Sequence, residues 1–257
     1  MNYILNYSLY IFFGVLPSLL WLQFYLRRDV KPEPKLMIFK IFFYGMLLTI
    51  PAIFLEKAFF EIKIFNLSPF TVSILNIFLG VALIEECLKF SLIKLKILNN
   101  PEFDEPVDAM IYMIIAALGF AAAENLLVLF SVGSQSSTGG EFLLPLLTPV
   151  FFGKIFEISI LRFLGATFLH TLSSAIIGFF IGLSFFEKEK RKKLILAGMI
   201  LAILLHGFYN FSIIEMEKGL NTLIIPFFLL VTAAIFVSFG FKKLKRMAGS
   251  NQEIFNY

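Results

Sequence analysis

Apolar residues run along this chain of 257 residues in blocks of about twenty, separated by short polar stretches. Crossing about 30 Å of hydrocarbon takes roughly 20 apolar residues in a helix, the form in which a single segment satisfies its own backbone groups in lipid. Seven blocks meet that length: 4–26, 36–55, 70–97, 107–130, 159–186, 194–216 and 222–241. An eighth, 141–156, carries Pro145, Pro149 and Lys154, with Glu157 just beyond, and is expected to be a re-entrant or interfacial segment rather than a full span. The pattern therefore predicts an all-α, polytopic membrane protein. It forms one transmembrane domain over 1–257, with a motif-bearing core from about 70 to 216.

Composition agrees, since 59% hydrophobic and 16% charged residues lie far from the soluble average of about 45–50% and about 25%. The single cysteine, Cys87, excludes an intrachain disulfide. A net charge of +4 does not point to nucleic acid here, because the basic residues fall in short runs between apolar blocks. One set of loops holds Arg27, Arg28, Lys31, Lys35, Lys94, Lys96, Lys188, Lys190, Arg191, Lys192, Lys193, Lys242, Lys243, Lys245 and Arg246; the other holds Lys57, Lys63, Lys154 and Lys218. The positive-inside rule then sets the N-terminus outside and the C-terminus inside, and eight full spans would break it. With no basic residue before the first apolar run, a removed signal peptide is not expected. The expected location is the cytoplasmic (inner) membrane as a multi-pass protein, with the lipid bilayer as partner and no nucleic acid. Residues 99–106 are read as a turn, and 131–140 as an uncharged flexible loop.

Ionisable groups inside spans cost a few kcal/mol each on insertion scales, and four spans carry them. The third has Glu85, Glu86 and Lys89; the fourth Glu124 and Asn125; the fifth Arg162, His170 and Ser174; the sixth His206 and Asn210. Residues four apart share a helical face, so Glu85 stacks with Lys89, His170 with Ser174 and His206 with Asn210. Glu85 and Glu86 stand about 100° apart, so only one is expected to aim at a shared centre. Counted at about 1.5 Å per residue from the inner ends, Glu85, Glu124, His170, His206 and Asn210 lie in one slab at roughly 18–26 Å, leaning to the outer side. Taken singly, Lys89 reads as a structural ion-pair partner and His170 with Ser174 as interhelical glue. Arg162 reads as snorkelling or paired with a loop carboxylate, and Cys87 as a packing residue. As a set they call for a function.

Several carboxylates close together cannot all ionise without counter-charge, so one of them is suited to act as a general base on water attacking an amide carbonyl. His206 and Asn210 on one face supply donors to a developing oxyanion, with His170 as second proton carrier or water-orienting group. A zinc site is the rival, since two His and several Glu offer N and O ligands, but HExxH is absent and the two histidines lie on separate helices. Proton-coupled transport also uses buried Glu and His, though no inverted repeat is evident. A non-enzymatic membrane scaffold is the remaining class.

The ordered motifs EExxK (Glu85, Glu86, Lys89), FxxxEN (Phe120, Glu124, Asn125), HTLSSAIIG from His170, and HGxYN (His206, Gly207, Tyr209, Asn210) resemble the PrsW-type intramembrane proteases, a branch of the superfamily that includes the CAAX prenyl endopeptidases. The stretch WLQFYLRRDVKPEP, 21–34, is similar to the beginning of that family, and the likeness covers roughly 15–215. The resemblance implies a metal-independent, glutamate-dependent endopeptidase without cofactor. Its substrate would be a membrane-anchored protein cut near the extracytoplasmic face, as in site-1 cleavage of anti-sigma factors. It implies that Glu85 and Glu86 hold the catalytic carboxylate, that His170 and His206 are catalytic or oxyanion-stabilising, and that Asn210 is an oxyanion donor. Lys89, Asn125 and Ser174 are supporting residues. CAAX-type relatives carry histidine where Glu124 stands, which leaves Glu124 as base, water-orienting group or partner of Lys89.

Overall fold

The computed structural model describes residues 2–28, 31–62, 67–135, 149–215 and 223–250, and their regular structure is entirely helical. In chain order the helices are α1 (Asn2–Leu26), α2 (Lys35–Leu47), α3 (Thr49–Phe60) and α4 (Pro69–Leu75). A π-helical segment (Asn76–Leu83) leads into α5 (Ile84–Lys96), followed by α6 (Asp108–Gln135), α7 (Pro149–Leu164) and α8 (Ala166–Phe186). One 3₁₀ turn (Lys188–Lys190) precedes α9 (Arg191–Glu215) and α10 (Ile224–Ser250). Seven helical stretches among the described residues are long and apolar enough to span a bilayer, in the places the apolar blocks predict. The second is broken between α2 and α3 because Pro51 has no N–H for the carbonyl of Leu47; Thr49 Oγ1 donates to Met46 O at 2.7 Å beside the break.

The fifth span starts earlier than its apolar block. Residues 149–156 form the first turns of α7, and Phe152–Phe186 is a single 35-residue candidate span; 141–148 lie outside the described residues. At 1.5 Å per residue such a stretch is about 52 Å long, more than the hydrocarbon thickness, and it bends at Gly165. There the backbone takes φ −106°, ψ −96°. A Cβ at that position would stand 2.8 Å from Leu161 O and closer still to the Tyr209 hydroxyl, so only glycine lets α9 press into the bend.

α6 is the axis of the bundle. Every residue from 106 to 122 is buried, as expected of a helix apolar on all sides. It packs against α8, α2 and α1, while α8 in turn packs against α9 and α10. At the α2 crossing, Gly119 lies against the Phe42 carbonyl with no room for a side chain, the close backbone approach that small residues permit in membranes. Large apolar side chains such as Phe39, Phe54, Phe227 and Ile235 are exposed on the outer helices, where lipid solvates them. The loops with the basic runs lie together at one end. Lys31 reaches Asp104 and Glu105 at 3.3 Å each, and Lys245 Nζ donates to the Arg28 carbonyl. This shared side is what the charge count predicts.

Candidate active site

The π-helical segment ends at Leu83, so Glu85 and Glu86 fall in the first turn of α5, with Lys89 at i+4 and i+3 from them. Neighbours at these spacings meet on a helix, and the lysine straddles both carboxylates. Its Nζ lies 3.2 Å from Glu85 Oε2, 3.0 Å from Glu86 Oε1 and 2.9 Å from His170 Nδ1 of α8. An ammonium has three N–H donors, and here each meets an acceptor. The face of the Phe120 ring, on α6, covers the remaining side with its centroid 4.5 Å from Nζ. The expectation that only one glutamate would aim at the shared centre is corrected: both do, because Lys89 gathers side chains that start about 100° apart.

Geometry assigns the two imidazoles. Lysine can only donate, so His170 Nδ1 accepts, and Nε2–H donates to Glu124 Oε2 at 2.6 Å. His206, on α9, holds Nδ1 3.0 Å from Glu86 Oε1, so Nδ1–H donates there; in the neutral ring Nε2 then carries the lone pair, 4.0 Å from Glu85 Oε2. The two rings stand edge to face with centroids 5.0 Å apart.

The glutamates differ in their surroundings. Glu86 accepts from Lys89, His206 and Ser173 on Oε1 and from Ser174 on Oε2, at 3.0–3.2 Å. Among the described residues Glu85 takes one hydrogen bond, from Lys89, and its Oε2 lies 3.6 Å from His170 Nδ1. Both carboxyls are buried.

Glu124 is more open, its side chain 29% exposed, and Arg162 of α7 reaches it at 3.4 Å. Arg162 Nε–H also donates to Asn125 Oδ1, while the Asn125 amide donates to Gly14 O and Thr167 Oγ1 at 3.1 Å each, tying α6 to α1 and α8. The snorkelling reading of Arg162 is thereby corrected: its guanidinium turns inward onto α6. Asn210 lies one turn beyond His206, half-buried, and no described residue hydrogen-bonds its amide. The structure thus gathers Glu85, Glu86, Lys89, Glu124, His170, Ser174 and His206 into one network, and leaves Asn210 beside it. Ser173, Arg162 and Phe120 are members whose part the spacing argument did not see. Ser173 stands three residues from His170, a spacing that would have found it.

Glu85, His170 and His206 also offer three donor atoms within 4.8 Å of one another, the N, N, O set that zinc accepts. Two of the three already face the Lys89 ammonium at 3.2 and 2.9 Å.

Seven membrane-crossing helices closed around a buried acid–imidazole network define a multi-pass membrane protein with an enzyme-like centre. Residues 33–239 match the family described as PrsW family intramembrane metalloprotease, and the chain belongs to this family. It is 30% identical to "Protease PrsW" of Geobacillus kaustophilus over 206 residues, 80% of each chain. It is 28% identical to "Protease PrsW" of Oceanobacillus iheyensis over 218 residues, 85% of this chain and 88% of that one. With "Protease PrsW" of Bacillus subtilis the identity is 27% over 240 residues, 93% and 95% of the two chains. No solved structure matches. The family and the fold together make this a membrane protease.

Proposed function

We propose that this protein is an endopeptidase of the cytoplasmic membrane that cuts a membrane-anchored protein near the extracytoplasmic face, with Glu85 as the base that activates water. The observation that carries the reading is the inequality of the two glutamates: Glu86 is saturated by four donors, whereas Glu85 Oε2 faces the His206 Nε2 lone pair across 4.0 Å. Two acceptors at that separation suit a bridging water, which donates one hydrogen to each at about 2.8 Å. As the water oxygen attacks the amide carbon, its proton passes to Glu85, and the carbonyl becomes an oxyanion. The Asn210 amide, one turn from His206, is the donor for that oxyanion. Collapse of the intermediate breaks the C–N bond, and Glu85 returns the proton to the leaving amine. Glu86 with Ser173 and Ser174 anchors Lys89 and His206. A membrane-anchored anti-sigma factor is a substrate of this kind, as the family resemblance implies.

The family's description contains the word metalloprotease, and the donor types of Glu85, His170 and His206 suit zinc. Their arrangement does not, because the Lys89 ammonium stands on Glu85 and His170 and a second cation would have to displace it. The mechanism above uses carboxylate chemistry only. The test is purified protein in liposomes with a membrane-anchored reporter. Glu85→Gln should lower cleavage by about 100- to 10,000-fold, the range for a lost general base. Activity should survive a zinc chelator. Unimpaired cleavage by Glu85→Gln sinks the proposal, and loss on chelation with recovery on added zinc transfers it to the metal reading.

A further inference from the structure

We propose that Arg162 is a positioning residue of this site, acting through Glu124 to hold His170 in the tautomer whose Nδ1 accepts from Lys89 and so keeps that ammonium in place beside Glu85; the inference rests on the hydrolase reading above. Arg162 occupies the last turn of α7, just before the bend at Gly165. Its guanidinium grips two consecutive residues of α6, donating from Nε to Asn125 Oδ1 and from a terminal nitrogen to Glu124 Oε2. That glutamate oxygen is the one that accepts the Nε2–H of His170 at 2.6 Å. The grip is fixed from behind: both donors of the Asn125 amide are engaged with Gly14 O and Thr167 Oγ1, which turns its oxygen toward Arg162.

The charges around Glu124 show why the grip matters. His170 faces it from α8, Arg162 from α7, Lys89 and Glu85 from α5, and Glu56 from α3. Glu56 and Glu85 are acids like Glu124, so each of them that ionises repels it. Lys89 has all three donors on Glu85, Glu86 and His170. Arg162 is therefore the cation with Glu124 as its one ion-pair partner among the described residues. Without it, Glu124 loses its guanidinium partner and has solvent to swing toward, its side chain being 29% exposed where those of Glu85 and Glu86 are buried. His170 Nε2–H would then lose its acceptor, and the ring would be free to shift its proton to Nδ1, the atom that accepts from Lys89 beside Glu85.

The test is a double-mutant cycle in the full chain in liposomes, with a tautomer measurement beside it. Arg162→Gln should lower kcat by about 100-fold, the scale of a displaced catalytic group, with KM within about twofold. Arg162→Lys should recover part of the loss. In a Glu124→Gln background, where an amide oxygen still accepts from His170, Arg162→Gln should lower kcat no further. Undiminished kcat in Arg162→Gln, a rise in KM alone, or losses that multiply in the double variant overturn the proposal. Nitrogen-15 NMR reads the same point without turnover and at low activity. The chain has two histidines. The wild type should show one Nε2–H ring and one Nδ1–H ring, and Arg162→Gln, or Arg162→Lys if the former does not accumulate, should blur the first and leave the second. An unchanged His170 pattern in the variant overturns the proposal. A wild type that cuts no membrane reporter sinks the hydrolase reading instead, whereas a cutting wild type with an unaffected Arg162→Gln removes this inference alone.

Discussion

Lys89 and Lys31 each meet two carboxylates at 3.0–3.3 Å, one inside the bundle and one among the loops at its basic end. The Lys31 side chain is 59% exposed, and that of Lys89 is fully buried. The chemistry is the same and the surroundings differ. In water, the pair of bonds to Lys31 replaces equally good bonds to solvent and is screened by salt. Inside the bundle no solvent replaces a missing partner, so Lys89 must satisfy every donor, and Glu86 is likewise surrounded by donors. A buried network of this kind is a poor stabiliser and a good organiser: it holds groups from α5, α6, α8 and α9 at fixed distances. Glu85, with one bond among the described residues where Glu86 has four, is the place where that organisation was left incomplete.

The contrast is broken most directly by removing one partner from the buried set. Lys89→Met strands two carboxylates and should destabilise the protein by about 3–5 kcal/mol, read as the loss of melting temperature in detergent. A variant that melts with the wild type would show that the buried node is wet and no different from the loop pairs. Phe120→Leu keeps the apolar contact and removes the ring face over Lys89. It should lower stability by about 1–2 kcal/mol, and a Lys89→Met background should abolish the effect. The smallest change belongs to the loops: Lys31→Ala should shift stability by less than about 1 kcal/mol, and less again in high salt. Its bonds to Glu105 and then Asp104 hold the Lys31 ammonium above the ordinary lysine range. The folded form is thus favoured below the unfolded lysine value, and that increment is lost as pH rises through the raised folded value. Solvent keeps it small, so a melting curve that falls steeply there would contradict the assignment of Lys31 as a screened pair.

The spans were legible because bilayer thickness imposes a length on apolar runs, and α5, α6, α7, α8 and α9 carry the predicted ionisable residues. The start of the fifth span was not, because Pro149 and Lys154 read as breakers while α7 begins at Pro149, runs past Lys154 and continues into α8 by way of Gly165. The order of motifs also marked Glu85, Glu86, Glu124, His170, His206 and Asn210 as one set, of which Asn210 stands beside the network rather than in it. Helical spacing correctly paired Glu85 with Lys89, but its place near a span end made Arg162 read as snorkelling or paired with a loop carboxylate, since a lone arginine there ordinarily turns outward.

Length, periodicity and charge along the chain were enough to decide that this is a seven-span membrane protein and which residues are too costly in lipid to be idle, because each of those properties belongs to one segment at a time. Which glutamate is saturated and which is open, which nitrogen of each histidine carries its proton, and where Arg162 points were decided only when separate helices packed. Those properties belong to pairs of atoms on different helices, brought within a few ångströms by the glycine-lined crossings and the bend at Gly165.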